Sequence, residues 1–342
     1  MLTEKTISIV VTCYKDEGSI VQLLRRLNNT MEKITPNWEV IYVNDHSPDN
    51  SEKVLLELSV KNPRITVISH ARNFGAQIAF STGLLQAVGD AVVIMDGDLQ
   101  DPPELIEEFV KLWLSGYDVV CGIRAVRHEG IIRNIGYKIF YRIFQKIAYI
   151  PIHLDAGEFS LMDRVVVDVI NECPEQDRLI RGLRSYAGFK QTGVPYERPP
   201  RYSGESTQSL LSYITWAYKS FTSYSLFPLR LINITAFFMV GLLVLMLFSY
   251  LTIYIFFKHS DIPKGFMTLL SITLGLGSII MFSLGIIGEY LGRLFVEIKK
   301  RPHQVISLLV NDHRPEPRPW LGRVGKSQVN IFRQGKTFDQ KE

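Results

Sequence analysis

Cysteine is scarce in this chain. Cys13, Cys121 and Cys173 are three in number, an odd count, and lie scattered among apolar segments. A disulfide framework is excluded by that arithmetic, and reduced thiols of a cytosolic domain are the expected state. A leader segment is lacking too: residues 1–5 are polar, and the apolar run behind them is too short and wrongly flanked, so no removable leader is expected. No Gly-x-Gly-x-x-Gly follows that first run, which disfavours a dinucleotide fold built on the glycine fingerprint. Internal repeats and long low-complexity tracts are absent. Net charge is only +4, and no nucleic-acid partner is expected.

Charge is missing from two long stretches. Residues 231–257, 27 in all, and residues 265–288, another 24, hold no Asp, Glu, Lys or Arg. About 20 apolar residues cross a bilayer as a helix, so both are predicted spans, and two buried core helices are a poor alternative at these lengths. Residues 258–264 between them suffice only for a tight hairpin. Two spans put both flanks on one side. Arg230, Arg293, Lys299, Lys300 and Arg301 flank the pair, against Lys258 and Lys264 between, so the termini are expected in the cytoplasm. Gly241 and the Gly275/Gly277 region offer small-residue surfaces for a homo-oligomer.

What is present is organised around residues 91–103, AVVIMDGDLQDPP. Five apolar residues run straight into two aspartates one residue apart. The run reads as a buried strand. Asp96 and Asp98 then lie at its carboxyl end, where open α/β sheets place ligands, and residues i and i+2 of an extended segment share a side. Two carboxylates and the Gln100 carbonyl are hard oxygen ligands for a divalent cation, Mg²⁺ or Mn²⁺. Pro102, Pro103 and Glu104 open a helix. The bland alternative is a solvated acidic turn after a core strand.

Upstream, strands are predicted over residues 6–13, 38–44 and 65–69, with helices from Ser19 as cap to about residue 31, from residues 49–51 onward, and over residues 75–88. A further strand covers residues 119–122. Short apolar strands alternating with helices argue βαβ units and a mostly parallel, Rossmann-like α/β sheet. The loops after successive strands carry Thr12, Tyr14, Asp16 and Glu17, then Asp45, then the Asp96/Asp98/Gln100 set, all on one edge. Tyr14 offers a flat face for a base, and Asp45 an acceptor for a uracil N–H or a ribose hydroxyl. Each alone is commonly a cap or turn residue; together they point to a nucleotide site.

Residues 129–149 are helical in pattern, with Ile135, Ile139, Ile143 and Ile147 on one stripe and Arg133, Lys138, Arg142 and Lys146 filling much of the rest. Such a basic amphipathic helix suits the membrane interface; the alternative is docking on the sheet. Arg178, Arg181 and Arg184 recur every three residues, as one helix face over residues 176–186. Arg198, Arg201 and Tyr202 follow in a proline-rich loop, and Tyr213, Trp216, Tyr218 and Tyr224 form an aromatic belt before the first span. The expected organisation is a catalytic domain over 1–204, a juxtamembrane segment over 205–230, a hairpin over 231–288 and a cytoplasmic tail over 289–342.

Several of these stretches resemble one family. VVTCYKDEGSI, VNDHSPDNS, ARNFGAQIAFSTGL and the extended DGDLQDPP are similar to motifs of family 2 glycosyltransferases that act on polyprenyl phosphates, and the likeness covers roughly residues 6–205, extending through the hairpin to about 300. The bacterial undecaprenyl-phosphate glucosyltransferases are the nearest in pattern. The resemblance implies a GT-A catalytic domain. It implies an inverting hexosyltransferase of the inner membrane that moves a sugar, glucose foremost, from a UDP-sugar to undecaprenyl phosphate. GDP-mannose, a modified UDP-arabinose and a UDP-N-acetylhexosamine are alternative donors. A non-catalytic component that binds or flips lipid-linked sugar is the reading from another class. Asp96, Asp98 and Gln100 are the implied metal ligands; Thr12, Tyr14, Asp16, Glu17, Asp45 and Asp96 face the nucleotide. Arg124, Arg133 and Arg201 are the expected clamp on the acceptor phosphate, and Glu158 positions the sugar or acts as a weak base. A phosphate nucleophile has a second pKa near about 6, so a strong base is not required. No Gln-x-x-Arg-Trp occurs, which counts against a processive polymer synthase. Three departures stand out: Lys15 where Asn is usual, Glu158 where Asp is common, and Thr207 where a lysine often follows the serine.

Overall fold

The computed structural model describes residues 1–124, 156–199, 227–256 and 265–314. Two compact units emerge: residues 1–141, 150–208 and 301–342 form one, and residues 142–149 and 209–300 the other. The first is built on a single sheet of eight strands. In chain order these are β1 (Ile7–Cys13), β2 (Trp38–Asn44), β3 (Ile65–His70), β4 (Ala91–Asp96), β5 (Val119–Arg124), β6 (Ala156–Asp163), β7 (Gln191–Tyr196) and β8 (Ile306–Val310). Their spatial order is β7-β5-β6-β4-β1-β2-β3-β8.

Four of the five strands expected from sequence form the parallel centre, β4-β1-β2-β3, with Val11 between Tyr42 and Met95, and the fifth is β5. Every residue of β1, β2 and β3 is buried. That is the mark of strands covered on both faces, and it explains why they read as continuous apolar runs instead of alternating ones. One face packs on α1 (Glu17–Ile34), α2 (Ser51–Lys61) and α4 (Ile106–Leu114), through Leu23, Leu27 and Met31 of α1 and Phe109 and Trp113 of α4. The opposite face packs on α3 (Ala76–Gln86), α5 (Arg164–Glu172) and α6 (Ile180–Ala187), through Phe80, Leu84, Val166, Ile170 and Leu183. Their apolar residues recur three and four apart, as a one-sided helix requires.

The remaining strands leave the sheet mostly parallel, as expected, and make it mixed. β6 lies antiparallel to both β4 and β5, β7 runs parallel to β5, and β8 runs antiparallel along β3. Local expectations shift as well. Helix α1 starts at Glu17, so Ser19 lies inside its first turn and is no cap; its hydroxyl instead donates to the Gly97 carbonyl at 2.7 Å. The Pro103–Leu105 segment is a 3₁₀ turn that hands over to α4 at Ile106. Helix α6 begins at Ile180, so Arg178 precedes it.

The second unit holds two long helices, α7 (Phe227–Phe256, 30 residues) and α8 (Phe266–Ile298, 33 residues). The helix α8 runs past the expected end at residue 288. Its stretch Ile272–Ile298 has a mean hydropathy of 1.7 and buries none of itself, so it is long and apolar enough to cross a membrane. Leu274, Met281, Phe282 and Leu284 stand exposed along it. The predicted helix over 129–149 with Arg133, the loop with Arg201, the aromatic belt, the turn at 258–264 and residues beyond 314 lie outside the described residues.

Candidate active site

Three loops meet at the carboxyl ends of β1, β2 and β4, and each turns on one non-glycine residue in the left-handed region: Lys15 (φ 63°), His46 (φ 56°) and Leu99 (φ 61°). Such residues cost free energy and persist where surroundings fix them. The surroundings here are cross-loop bonds. The Lys15 N–H donates to Ser47 Oγ at 2.8 Å, the Glu17 N–H to Asp49 at 3.2 Å, and the Asn50 N–H to Glu17 at 3.2 Å. Gly97 lets the third loop come close: its N–H donates to the Thr12 carbonyl at 3.0 Å, and a Cβ there would stand 2.6 Å from that oxygen.

The expected acid pair falls where these loops converge. Asp96 ends β4, and Thr12 Oγ1 lies 3.4 Å from its Oδ1. Asp98 is buried and accepts the Gln100 N–H at 3.0 Å, a local turn that sets the bend. Asp101, to which sequence reasoning gave no role, is 2% exposed; it accepts the Asp96 N–H at 3.2 Å and the Tyr196 hydroxyl at 2.8 Å. Burial pushes the Asp96 carboxyl up to about 7, with Asp101 and then Asp98 adding repulsion and Arg198 pulling the other way. Asp101 is raised as well, by burial above all. The cation was also missed: Arg198 Nη2 lies 3.5 Å from Asp96 Oδ2 and 4.0 Å from Asp98 Oδ2. The Gln100 side chain donates to the Pro199 carbonyl at 3.0 Å.

Glu158 reaches the same place from β6. The antiparallel pairing Ile94↔Ser160, continued two residues, sets position 158 opposite position 96, and the Glu158 charge adds to the rise at Asp96. Its Oε1 accepts Arg181 Nε at 3.0 Å, while Oε2 is buried without a hydrogen-bond partner. Arg124, at the end of β5, faces the acids too. Burial works against its charge, but Tyr196, Asp101 and Asp96 outweigh that and hold it firmly protonated. The other two arginines of the helical repeat are structural. Arg184 donates to Ser160 Oγ and the Gly157 carbonyl, and Arg178 to Ser81 Oγ and the carbonyls of Ile170 and Cys173.

On the expected nucleotide side, Tyr14 is 39% exposed, so a ring face is open, and its N–H donates to Asp16. Asp45 is deeply engaged instead. Its carboxylate takes His70 Nδ1 at 2.8 Å and the N–H groups of Phe74 at 2.8 Å and Gly75 at 2.7 Å. Burial raises its pKa, but the bonds from His70 and those two amides win and hold it below the ordinary range. The Gly75 backbone (φ 92°) lets the chain turn into α3.

Among the described residues no group of three or more His, Cys, Asp and Glu forms a metal cage. An open pair of carboxylates fits a different demand. Mg²⁺-type ions are commonly held by one or two carboxylates and complete their shell with substrate phosphate and water. The mutually repelling Asp96, half-buried, and Asp98 and Asp101, buried, all oxygen donors, match that chemistry.

The family profile described as "Glycosyl transferase family 2" matches residues 8–170, the segment that carries β1 to β6 and every described acid above. An uncharacterized glycosyltransferase of Bacillus subtilis, YkcC, is 39% identical over 300 residues, spanning 87% of this chain and 92% of its own length. The chain belongs to glycosyltransferase family 2, and its catalytic unit has the GT-A layout. The SfII prophage-derived bactoprenol glucosyl transferase of Shigella flexneri is 32% identical across 91% of this chain and 99% of its own. A prophage bactoprenol glucosyl transferase homolog of Escherichia coli strain K12 is 33% identical across 88% and 98%.

Proposed function

We propose that the protein is an inverting, metal-dependent hexosyltransferase that moves glucose from UDP-glucose to the phosphate of a membrane polyprenyl phosphate, undecaprenyl phosphate. The observation that carries this reading is the acid pair of half-buried Asp96 and buried Asp98 at the carboxyl edge of a parallel sheet, in a chain akin over nearly its whole length to bactoprenol glucosyl transferases.

Breaking the anomeric C–O bond leaves charge on the nucleoside diphosphate. Asp96, Asp98 and Gln100 would hold a divalent ion, and its charge would stabilise that developing negative charge. Tyr14 stacks on the base, and Thr12, Asp16, Glu17 and Asp45 order the loops around it. Arg124, with Arg133 and Arg201, orients the acceptor phosphate, which is itself the nucleophile. Orientation by fixed cations matters more here than proton removal. Glu158, held by Arg181, positions the sugar.

The acceptor cannot leave the bilayer, so the site must work at the head-group plane. Helices α7 and α8 serve as the two-span anchor in the inner membrane, with both termini cytoplasmic. Support for the topology comes from β8: the chain on both sides of the helical pair folds into one sheet, so an even number of crossings separates them.

The test is transfer of radiolabelled sugar from a panel of UDP- and GDP-sugars to undecaprenyl phosphate in detergent, with Mg²⁺ or Mn²⁺ and with EDTA. Labelled lipid from UDP-glucose, lost with chelator and with Asp98→Ala, is expected. Product from another donor alone corrects the sugar. No lipid product from any donor, with folded and lipid-replete protein, overturns the transferase reading in favour of a binding or flipping role.

A further inference from the structure

The strand β7 leaves the sheet through a short strap that is stitched to the acid loop three times in four residues. Tyr196 donates to Asp101, Arg198 pairs with Asp96 and Asp98, and Pro199 accepts from Gln100. Two of these ties are ordinary hydrogen bonds, at 2.8 and 3.0 Å. The Arg198 tie is different. Its distances of 3.5 and 4.0 Å exceed the roughly 2.7–2.9 Å of a charge-assisted hydrogen bond. Its Nε is also buried with no hydrogen-bond partner. Arg181 on Glu158, at 3.0 Å, shows by contrast what a hydrogen-bonded arginine looks like. Arg198 is therefore held by the field of the two carboxylates and not by directional bonds. A side chain held that way is exchangeable for another cation.

We propose that Arg198 is the resident counter-ion of the acid pair: it neutralises Asp96 and Asp98 while no metal is bound, and metal binding displaces it together with its strap. The inference rests on the reading of Asp96 and Asp98 as the metal site. A divalent ion on the same two carboxylates meets the guanidinium as a like charge in a site of low dielectric, so the two cations exclude one another. Free metal then binds weakly. A nucleoside diphosphate reverses this by bringing negative charge that the displaced guanidinium and the ion can both face. Metal and donor are thereby coupled, each tightening the other.

The experiment is a Mn²⁺ titration of the full chain in detergent, read by the paramagnetic resonance signal of free Mn²⁺, without nucleotide and with UDP or GDP. Arg198→Gln is expected to bind Mn²⁺ alone about tenfold tighter than the parent, within the usual range of coupling between sites. Arg198→Lys, which keeps the charge, is expected to stay near the parent. The advantage of Arg198→Gln shrinks once UDP is present. A second readout needs no variant: saturating Mn²⁺ raises hydrogen exchange in the peptide covering residues 191–199 of the parent. Equal or weaker Mn²⁺ binding by Arg198→Gln, or unchanged exchange in the parent, overturns the role of Arg198 and leaves the metal site standing. No Mn²⁺ binding by the parent, with or without nucleotide, overturns the metal site and this inference with it.

Discussion

Asp45 and His70 face each other inside the protein, Oδ1 to Nδ1 at 2.8 Å, with both side chains almost wholly out of solvent. One comes from the loop after β2 and the other from the end of β3. The same carboxylate also holds the Phe74 and Gly75 amides, so it fixes the entry into α3. Asp45→Ala leaves the buried His70 and two half-buried amides without an acceptor and is expected to cost about 3 kcal/mol, read by urea unfolding. The sign with pH follows from its depressed pKa. Its contribution is complete above the unfolded value near about 4 and fades as pH falls through the lower folded value. Asp45→Asn should therefore show a flatter acid limb than the parent below about pH 4.

Asp96 works in the opposite sense. Folded, its carboxyl keeps its proton up to about 7; unfolded, it releases it near about 4. Between those values the folded state binds the extra proton, so metal-free stability from this group is greatest below about pH 4 and declines as pH rises toward 7. With EDTA present, the parent's urea midpoint should fall between pH 5 and pH 7. Asp96→Asn should lose most of that decline; an identical slope in the two proteins would refute the assignment.

Lys15 occupies the left-handed region at φ 63°. Asn adopts that conformation at lower cost than Lys, so Lys15→Asn is expected to stabilise the protein by about 0.5–1 kcal/mol. The Lys15 N–H bond to Ser47 does not depend on the side chain and is retained. Thermal unfolding in detergent measures the gain, and sugar transfer should stay within about twofold of the parent.

Gly97→Ala tests the convergence of the loops. The new methyl would press on the Thr12 carbonyl, a backbone atom that cannot rotate away. The loop must shift, and with it Asp96 and Asp98. Displacements of about 1 Å near a reacting centre can cost about 100-fold in rate. Transfer should fall on that scale while the protein remains folded by circular dichroism.

Asn311 pins the end of β8. Its side-chain amide donates to the carbonyls of Ser59 and Ile65, each at 2.9 Å, and its own φ is 55°. Asn311→Ala loses both bonds and adds backbone strain. An expected loss of about 2 kcal/mol in urea unfolding would show that this distal segment belongs to the catalytic unit; a loss within about 0.5 kcal/mol would separate it.

The parallel centre was legible because its strands are buried on both faces and therefore uninterrupted in sequence. The acid loop was legible because DGDLQD sits directly behind one of them. β7 reads QTGVPY and is only partly buried, so it gives neither an apolar run nor clean alternation. Near its start β6 carries Gly157 and Glu158, residue types that strands usually lack, so it gave no strand signal. Arg198 was named in a proline-rich loop, yet its partners lie about a hundred positions upstream, a relation no local pattern encodes. Ser19 looked like a cap because serine before an apolar run usually is one; its hydroxyl is instead used across the fold.

β8 has a consequence for how the protein is made. β3 is complete by His70, but the strand that covers its edge begins at Ile306, behind both long helices. On a ribosome the catalytic sheet must wait with that edge open while α7 and α8 are synthesised. Both long helices are therefore made before the sheet is finished, and a chain that stalls within them carries an uncapped strand edge, the kind of surface on which proteins aggregate.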